Sequence, residues 1–330
     1  MVWAEQMSSA SEPLPLPIEG IARDDLAAHA EETIAKGSKS FAAAAKLFAP
    51  ETRRSAMMLY AWCRHCDDAV DGQILGFARA PADCAAKARE RLDRIEADTM
   101  RALAGERALH PSFLSIADVV ARHDLSPQLL LDHLAGYRMD VEGRLYETIE
   151  ETLAYCYHVA GVVGVMMARV MGADGEATLD RACDLGLGFQ LTNIARDIVE
   201  DAGAGRVYLP AVWLDEAKLK PSDLSDPTRR RAVGALAIRL VDCAEPYYRS
   251  ALVGLSALPP RSAWAVATAH GVYRQIGMEL KSAGAAAYGD RVSTGTLAKL
   301  RHVGQGAAKV ASSRLGPSAP RPPELWTRPR

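Results

Sequence analysis

Along most of this chain apolar residues recur every three or four positions, the period of a helix with one buried face. Segments with that period run over 23–36, 39–48, 51–71, 82–104, 112–123, 127–141, 148–171, 176–201, 228–256 and 261–286. The alternation expected of a half-buried strand is nearly absent. Pro50 stands just ahead of one segment, Pro127 opens another, and Gly172 to Gly175 separate 148–171 from 176–201. Proline suits the first helical turn and glycine the end of a helix, so the punctuation fits the limits. The pattern predicts an all-α bundle with side chains projecting inward from facing helices. No linker divides residues 19–312, which are expected to form one helical domain. Residues 1–18 lack periodicity and are expected to be a flexible tail; 313–330, rich in proline, read as a second tail.

Two segments carry polar positions that the packing period does not explain. Asp67 and Asp71 lie one helical turn apart, with Asp68 beside them, and Asn193, Asp197 and Asp201 repeat that spacing on a second helix. Carboxylates aligned at i and i+4 repel, by a few tenths of a kcal/mol per pair (~0.2–0.5), so a compensating partner is expected. Hard oxygen ligands suit Mg²⁺ or Mn²⁺, which completes its shell with water and substrate phosphates. A diphosphate is the natural third partner. Solvated helix faces are the ordinary explanation of such stripes. Here the second stripe follows Leu185-Gly-Leu-Gly-Phe-Gln-Leu-Thr, an apolar setting that points it toward the interior.

Composition narrows the classes. The 330 residues are 49% hydrophobic, ample for a core, and the net charge of −2, without basic runs, argues against nucleic acid. The six cysteines sit mostly in helical patterns with no signal peptide ahead of them, the usage of a reduced cytoplasmic chain. Cys63 and Cys66 have C-x₂-C spacing, but no second pair accompanies them to make a zinc site. The longest apolar run, Val159–Met167, is far shorter than the ~20 residues that cross a bilayer.

Five motifs occur in order: Ser38-Lys39-Ser40-Phe41, Tyr60 to Asp71, Tyr155-Cys156-Tyr157 with Gly161 and Gly164, Gln190 to Asp201, and Arg206-Val207-Tyr208-Leu209-Pro210. Together they resemble the squalene/phytoene synthase family, from about residue 30 to Trp326. The resemblance implies an isoprenoid-synthase helical bundle with a central cavity. It implies a prenyltransferase of carotenoid biosynthesis that joins two geranylgeranyl diphosphates head to head, through prephytoene diphosphate, to phytoene, expected as the 15-cis isomer. Two alternatives stay open: a dehydrosqualene- or squalene-type synthase using farnesyl diphosphate, and a non-catalytic helical assembly factor.

Carried over by residue, the resemblance makes Asp67 and Asp71, supported by Asp68, metal ligands on one wall, and Asn193, Asp197 and Asp201 on the other. Lys39, Arg64 and Arg196 would neutralise phosphate oxygens, or else pair with nearby acids. Ser38 and Ser40 belong to the diphosphate-binding motif, although Ser38 equally suits a helix N-cap. Related dehydrosqualene synthases can carry histidine where this chain has Gly37, so a contact from that position would come from the backbone. Tyr60, Gln190, Tyr273 and Arg291 are implied near the diphosphates, and Tyr155 near the reacting carbons; each tyrosine also reads as a core aromatic. Ala160, Gly161 and Gly164 would allow close approach of substrate or of another helix.

In the second half-reaction the cyclopropyl intermediate loses its diphosphate, rearranges, and sheds a proton or gains a hydride. No Gly-x-Gly-x-x-Gly fingerprint for a nicotinamide is present, which favours proton loss. The proton acceptor, diphosphate or Tyr155, is not fixed by the sequence. Greasy substrates and products lead to the expectation of peripheral contact with the inner face of the cell membrane, and of contact with other carotenoid-pathway enzymes.

Overall fold

Proline at the first helical position, behind a side chain that caps the free N–H groups, starts two helices where the pattern puts them. His110 Nδ1 accepts from the Ser112 N–H at 3.3 Å ahead of Pro111, and Ser126 Oγ from the Gln128 N–H at 3.3 Å ahead of Pro127. The structure is a computed structural model that describes residues 23–37, 42, 44–71, 85–288, 296–315 and 319–330. Among them the helices are α1 (Arg23–Gly37), α2 (Pro50–Asp71), α3 (Ala85–Leu103), α4 (Pro111–His123), α5 (Pro127–Val141) and α6 (Ile149–Val170). They continue as α7 (Glu176–Gly203), α8 (Ala211–Glu216), α9 (Arg230–Val253), α10 (Pro260–Ala283) and α11 (Thr296–Ser313), with no strand among the described residues.

The all-α expectation holds, with three differences of detail. Helix α6 contains a π turn at Tyr157–Gly161. The segment 228–256 is α-helical only over Arg230–Val253, and 3₁₀ turns flank it. Helix α11 has no counterpart among the periodic segments, because Gly304, Gly306 and small residues dilute its apolar stripe. Tertiary contact supplies what the local pattern lacks: Trp264 Nε1 on α10 donates to the Val303 carbonyl at 2.7 Å. Residues 1–22, 39–41, 43 and 82–84 lie outside the described residues.

Two apolar clusters build the core. Met58, Trp62, Leu92 and Ile116 belong to one, contributed by α2 to α4, and Leu187, Leu191, Leu240 and Tyr248 to the other, from α7 and α9. Met166 and Val170 of α6 join the first cluster while Val162 and Val165 join the second, so α6 ties the two together. By length and composition Ile149–Val170 could cross a membrane, yet over half of its apolar window is buried in this packing. Its small residues serve the approach to α7. A Cβ at Gly164 would collide with the Ala182 carbonyl, and one at Gly186 with the Ala160 carbonyl. Helix packing therefore accounts for Ala160 and Gly164.

The described C-terminal residues 319–330 carry no helix but are held firmly against α7 and α9. Arg321 grips the fully buried Asp184 with two bonds, at 2.9 and 2.7 Å, and Arg328 reaches Asp180 at 2.9 Å and also Glu176. Leu325 is buried, and the Trp326 N–H donates to Tyr247 Oη at 3.2 Å.

Candidate active site

Two helices supply the acidic stripes. On α2, Arg64 faces both carboxylates that follow it: Nη1 lies 3.1 Å from Asp67 and Nη2 2.8 Å from Asp68. Arg64 Nε is buried with no acceptor among the described residues, so this guanidinium retains an N–H that an incoming anion could satisfy. Asp67 is 43% exposed and Asp68 13%, so the stripe opens outward at Asp67. The side chain of Asp71 lies outside the described residues, as do Ser38, Lys39, Ser40 and Arg291.

Gly37, at the end of α1, meets Tyr60 of α2. A Cβ at Gly37 would sit 2.7 Å from Tyr60 Oη, so the absence of a side chain there is what admits this hydroxyl. Burial is the main cause that raises the Tyr60 phenol, which stays protonated at neutral pH.

On α7 the stripe is more enclosed. Arg196 folds onto its neighbour, with Nε to Asp197 Oδ1 at 2.8 Å and Nη2 to Oδ2 at 2.5 Å. Asn193 Nδ2 donates to Gln190 Oε1 at 3.3 Å, which sets the amide of Gln190 beside the stripe. Asp201 is pushed up to about 7, first by burial and then by the Asp197 charge, against the pull of Arg206. A carboxyl in that state takes up either a proton or a cation at neutral pH. Tyr273 of α10 stacks on Phe189 at 4.1 Å between centroids and shares the electrostatic surroundings of Arg196 and Asp197.

Between the stripes stands α5, which carries none of the five motifs. Asp140 accepts from Tyr155 Oη at 3.1 Å and Tyr208 Oη at 2.9 Å, and the two rings stack with centroids 4.7 Å apart. Tyr155 is thereby fixed as a buried hydrogen-bond donor, its phenol raised well above the ordinary value by burial and the Asp140 charge. The Asp140 charge also raises Asp201, and Asp67 and Asp140 both act on the Tyr137 hydroxyl. A line of interacting groups thus runs from α2 through α5 to α7. Among the described residues no three acidic, histidine or cysteine side chains converge on one point.

The structure therefore pairs Gly37 with Tyr60, Arg64 with Asp67 and Asp68, Gln190 with Asn193, and Arg196 with Asp197 and Tyr273. It adds Asp140, Tyr208, Arg206 and Tyr137. Arg206 and Tyr208 stand in a motif the sequence singled out. Asp140, a lone acid in an ordinary helical stretch, gives no local signal. Cys63, Cys66, Cys156, Cys183 and Cys243 are free thiols.

Comparison with known proteins shows the family and the fold. Residues 34–299 match the family described as squalene/phytoene synthase. The chain is 53% identical over 302 residues to a protein of Pantoea ananas named 15-cis-phytoene synthase, covering 91% of this chain and 97% of that one. It is 54% identical over 294 residues to the 15-cis-phytoene synthase of Enterobacter agglomerans, covering 89% and 99%. A crystal structure of a dehydrosqualene synthase in complex with ligand has the same fold, with a TM-score of 0.78 at 23% identity over 88% of this chain and 98% of that chain.

Proposed function

This chain belongs to the squalene/phytoene synthase family, and from that premise we propose that it joins two geranylgeranyl diphosphates head to head, through prephytoene diphosphate, to 15-cis phytoene. Two diphosphates and two protons are released. The observation that carries the choice of product is identity at more than half of the aligned positions, across nearly the whole of both chains, with proteins named 15-cis-phytoene synthase.

The donor set fits a hard divalent cation. All the donors are oxygen, and their negative charge exceeds what Arg64, Arg196 and Arg206 offset. Asp67 and Asp71, with Asp68 in support, and Asn193, Asp197 and Asp201 would hold Mg²⁺ or Mn²⁺. Bound there, such an ion supplies Lewis-acid stabilisation of the charge on a departing diphosphate. Arg64 offers its unsatisfied N–H to a phosphate oxygen, and Arg196 can turn from Asp197 to do the same. Lys39, Ser38, Ser40, Arg291 and the backbone of Gly37 complete the anion-binding groups, and Tyr60, Gln190 and Tyr273 orient them. Tyr155, Phe189 and Tyr208 provide apolar walls beside the acids, where exclusion of water protects a carbocation. Proton loss, with no nicotinamide, ends the reaction.

Leu145 and Val212, 69% and 37% exposed, lie on adjoining segments and support peripheral contact with the inner face of the cell membrane. Flotation with anionic vesicles, compared with the Leu145→Ser variant, tests that contact; equal recovery of both proteins speaks against it.

The function is tested by incubating purified protein with Mg²⁺ and geranylgeranyl diphosphate, without nicotinamide, and analysing the hydrocarbon extract by mass. A C40 hydrocarbon at the mass of phytoene supports the proposal. A C30 hydrocarbon from farnesyl diphosphate, with no C40, moves the chain to the dehydrosqualene type. No product from either makes it a non-catalytic member.

A further inference from the structure

The described residues 319–330 lie beyond residues 34–299, the stretch that matches the family, and they deliver one aromatic side chain to the interior. Trp326 is held by its own backbone: its N–H donates to Tyr247 Oη on α9 at 3.2 Å, and its carbonyl accepts from Arg321 Nη2 at 2.7 Å. Leu325 beside it is buried, so these contacts seat the ring in addition to the outer ion pairs of Arg328 and Arg330. From that seat the indole lies 5.7 Å, centroid to centroid, from the ring of Tyr157, with 40° between the planes. Tyr157 is the first residue of the π turn in α6 and is 1% exposed.

Tyr157 in turn fixes how α6 lies on α5. Its hydroxyl donates to Asp132 Oδ2 at 2.6 Å, and the next residue, His158, donates from Nδ1 to the Asp132 carbonyl at 2.7 Å. His133 returns the contact, with Nδ1 3.0 Å from the His158 carbonyl. Two residues before Tyr157, Tyr155 donates to Asp140 at 3.1 Å, farther along the same α5. The fit between the two helices is close: a Cβ at Gly136 would sit 2.6 Å from Val159 Cγ1. A π turn holds one residue more than the α-helical turn it replaces, so its return to α-helix would shift the register of one side against the other. Beyond the turn α6 is locked on α7, because a Cβ at Gly164 would collide with the Ala182 carbonyl. A slip at the turn therefore falls on the side that carries Tyr155.

We infer that Trp326 is a positioning residue: by closing over Tyr157 it keeps the π turn in place, and so keeps Tyr155 directed at Asp140 and Tyr208 between the two acidic helices. Its effect on turnover rests on the function proposed above; its effect on α6 does not. Without the indole, water reaches the Tyr157 hydroxyl and competes for Asp132, and the turn loses its support on the side away from α5. Tyr155 then loses its aim. The acidic and cationic groups of α2 and α7 stay where they are, so the diphosphates still bind while turnover falls.

The test compares Trp326→Ala, Trp326→Phe, Tyr157→Phe and Arg328→Gln with the unaltered full chain. Each is assayed with Mg²⁺ and geranylgeranyl diphosphate, and amide hydrogen exchange is followed over residues 155–163. A small misplacement of a group at the reacting centre costs up to about 100-fold, so kcat per folded molecule in Trp326→Ala is expected to fall about 10- to 100-fold, with KM within about twofold. Exchange over 155–163 should quicken in the same variant. Trp326→Phe keeps a ring over Tyr157 and should restore kcat to within about threefold. Arg328→Gln loosens the segment without touching the ring pair and should lower the melting temperature alone. Tyr157→Phe should reproduce Trp326→Ala, and combining the two should add nothing, because both act through one contact. Normal kcat and normal exchange in folded Trp326→Ala, or an equal loss of kcat in Arg328→Gln, would overturn the inference. Should Trp326→Ala not fold, the same readouts in Tyr157→Phe decide. Failure of the unaltered chain to make any C40 product would refute the proposed function, and the exchange readout would then decide the positioning role by itself.

Discussion

Helix α7 carries three oxygen-bearing residues one turn apart at each end: Glu176, Asp180 and Asp184 near its start, and Asn193, Asp197 and Asp201 near its finish. At the first end each acid has an arginine from the C-terminal segment. Arg321 holds Asp184, and Arg328 and Arg330 share Asp180 and Glu176. Ser250 Oγ adds a bond to Asp184 at 2.5 Å. At the second end Arg196 takes Asp197, while Asp201 is left with burial and like charge outweighing Arg206. The same spacing on the same helix is structural where the chain supplies matching cations, and chemical where it withholds them. What lies opposite a stripe decides its use.

The sharpest way to break this comparison is to remove one acid from each end. Asp197→Ala is expected to lower turnover at least about a thousandfold, roughly 4 kcal/mol of barrier, while helical content by circular dichroism stays intact. Asp184→Ala should do the reverse. It leaves the Arg321 guanidinium facing a void, a loss of about 3–5 kcal/mol in stability by urea unfolding, with activity per folded molecule kept within about threefold. Normal stability in Asp184→Ala would remove the structural role assigned to the first stripe.

A pH titration sharpens the contrast between neutral and charged interior groups. His133 is held down to about 4 and His270 to about 3, both chiefly by burial, so both are neutral in the folded chain below the pH at which free histidine, near 6.5, protonates. Because the unfolded imidazoles then bind more protons than the folded ones, the stability each histidine contributes is full above about pH 6.5 and declines as pH falls toward 4, by roughly 1 kcal/mol per pH unit for each, while Asp201, raised to about 7, runs the opposite way and offsets one of them. Unfolding midpoints measured between pH 7 and 4.5 check the slope; replacing His270 by Gln should flatten it. The smallest effect belongs to the outer edge of the first stripe. Arg330 and Glu176 are 54% and 56% exposed, and Arg330→Ala should leave the urea unfolding midpoint almost unchanged, in high salt most of all.

Much of this is legible in the sequence. Nine of the ten periodic segments locate the long helices of the described residues, since each buries one apolar face, whereas 46–48 of the segment 39–48 form a turn; the spacing at 67–71 and 193–201 marks the two acidic faces. The resemblance in motif order supplies the chemistry. Helix α11 escapes the pattern because its glycines hide the stripe that α10 covers. Asp140 escapes it because its importance lies in Tyr155 and Tyr208, which come from other elements. The acid at 184 looks in sequence much like the acid at 197; only the return of Arg321 from the far end of the chain separates them. Contacts between residues 137 apart leave no local trace.

The most direct test of the difference between the two stripes is calorimetric titration of geranylgeranyl diphosphate into Asp197→Asn, Asp184→Asn and the unaltered chain, each with and without Mg²⁺. Metal-dependent binding in the unaltered chain and in Asp184→Asn, lost in Asp197→Asn, is the predicted result. Undiminished metal-dependent binding in Asp197→Asn would contradict the account.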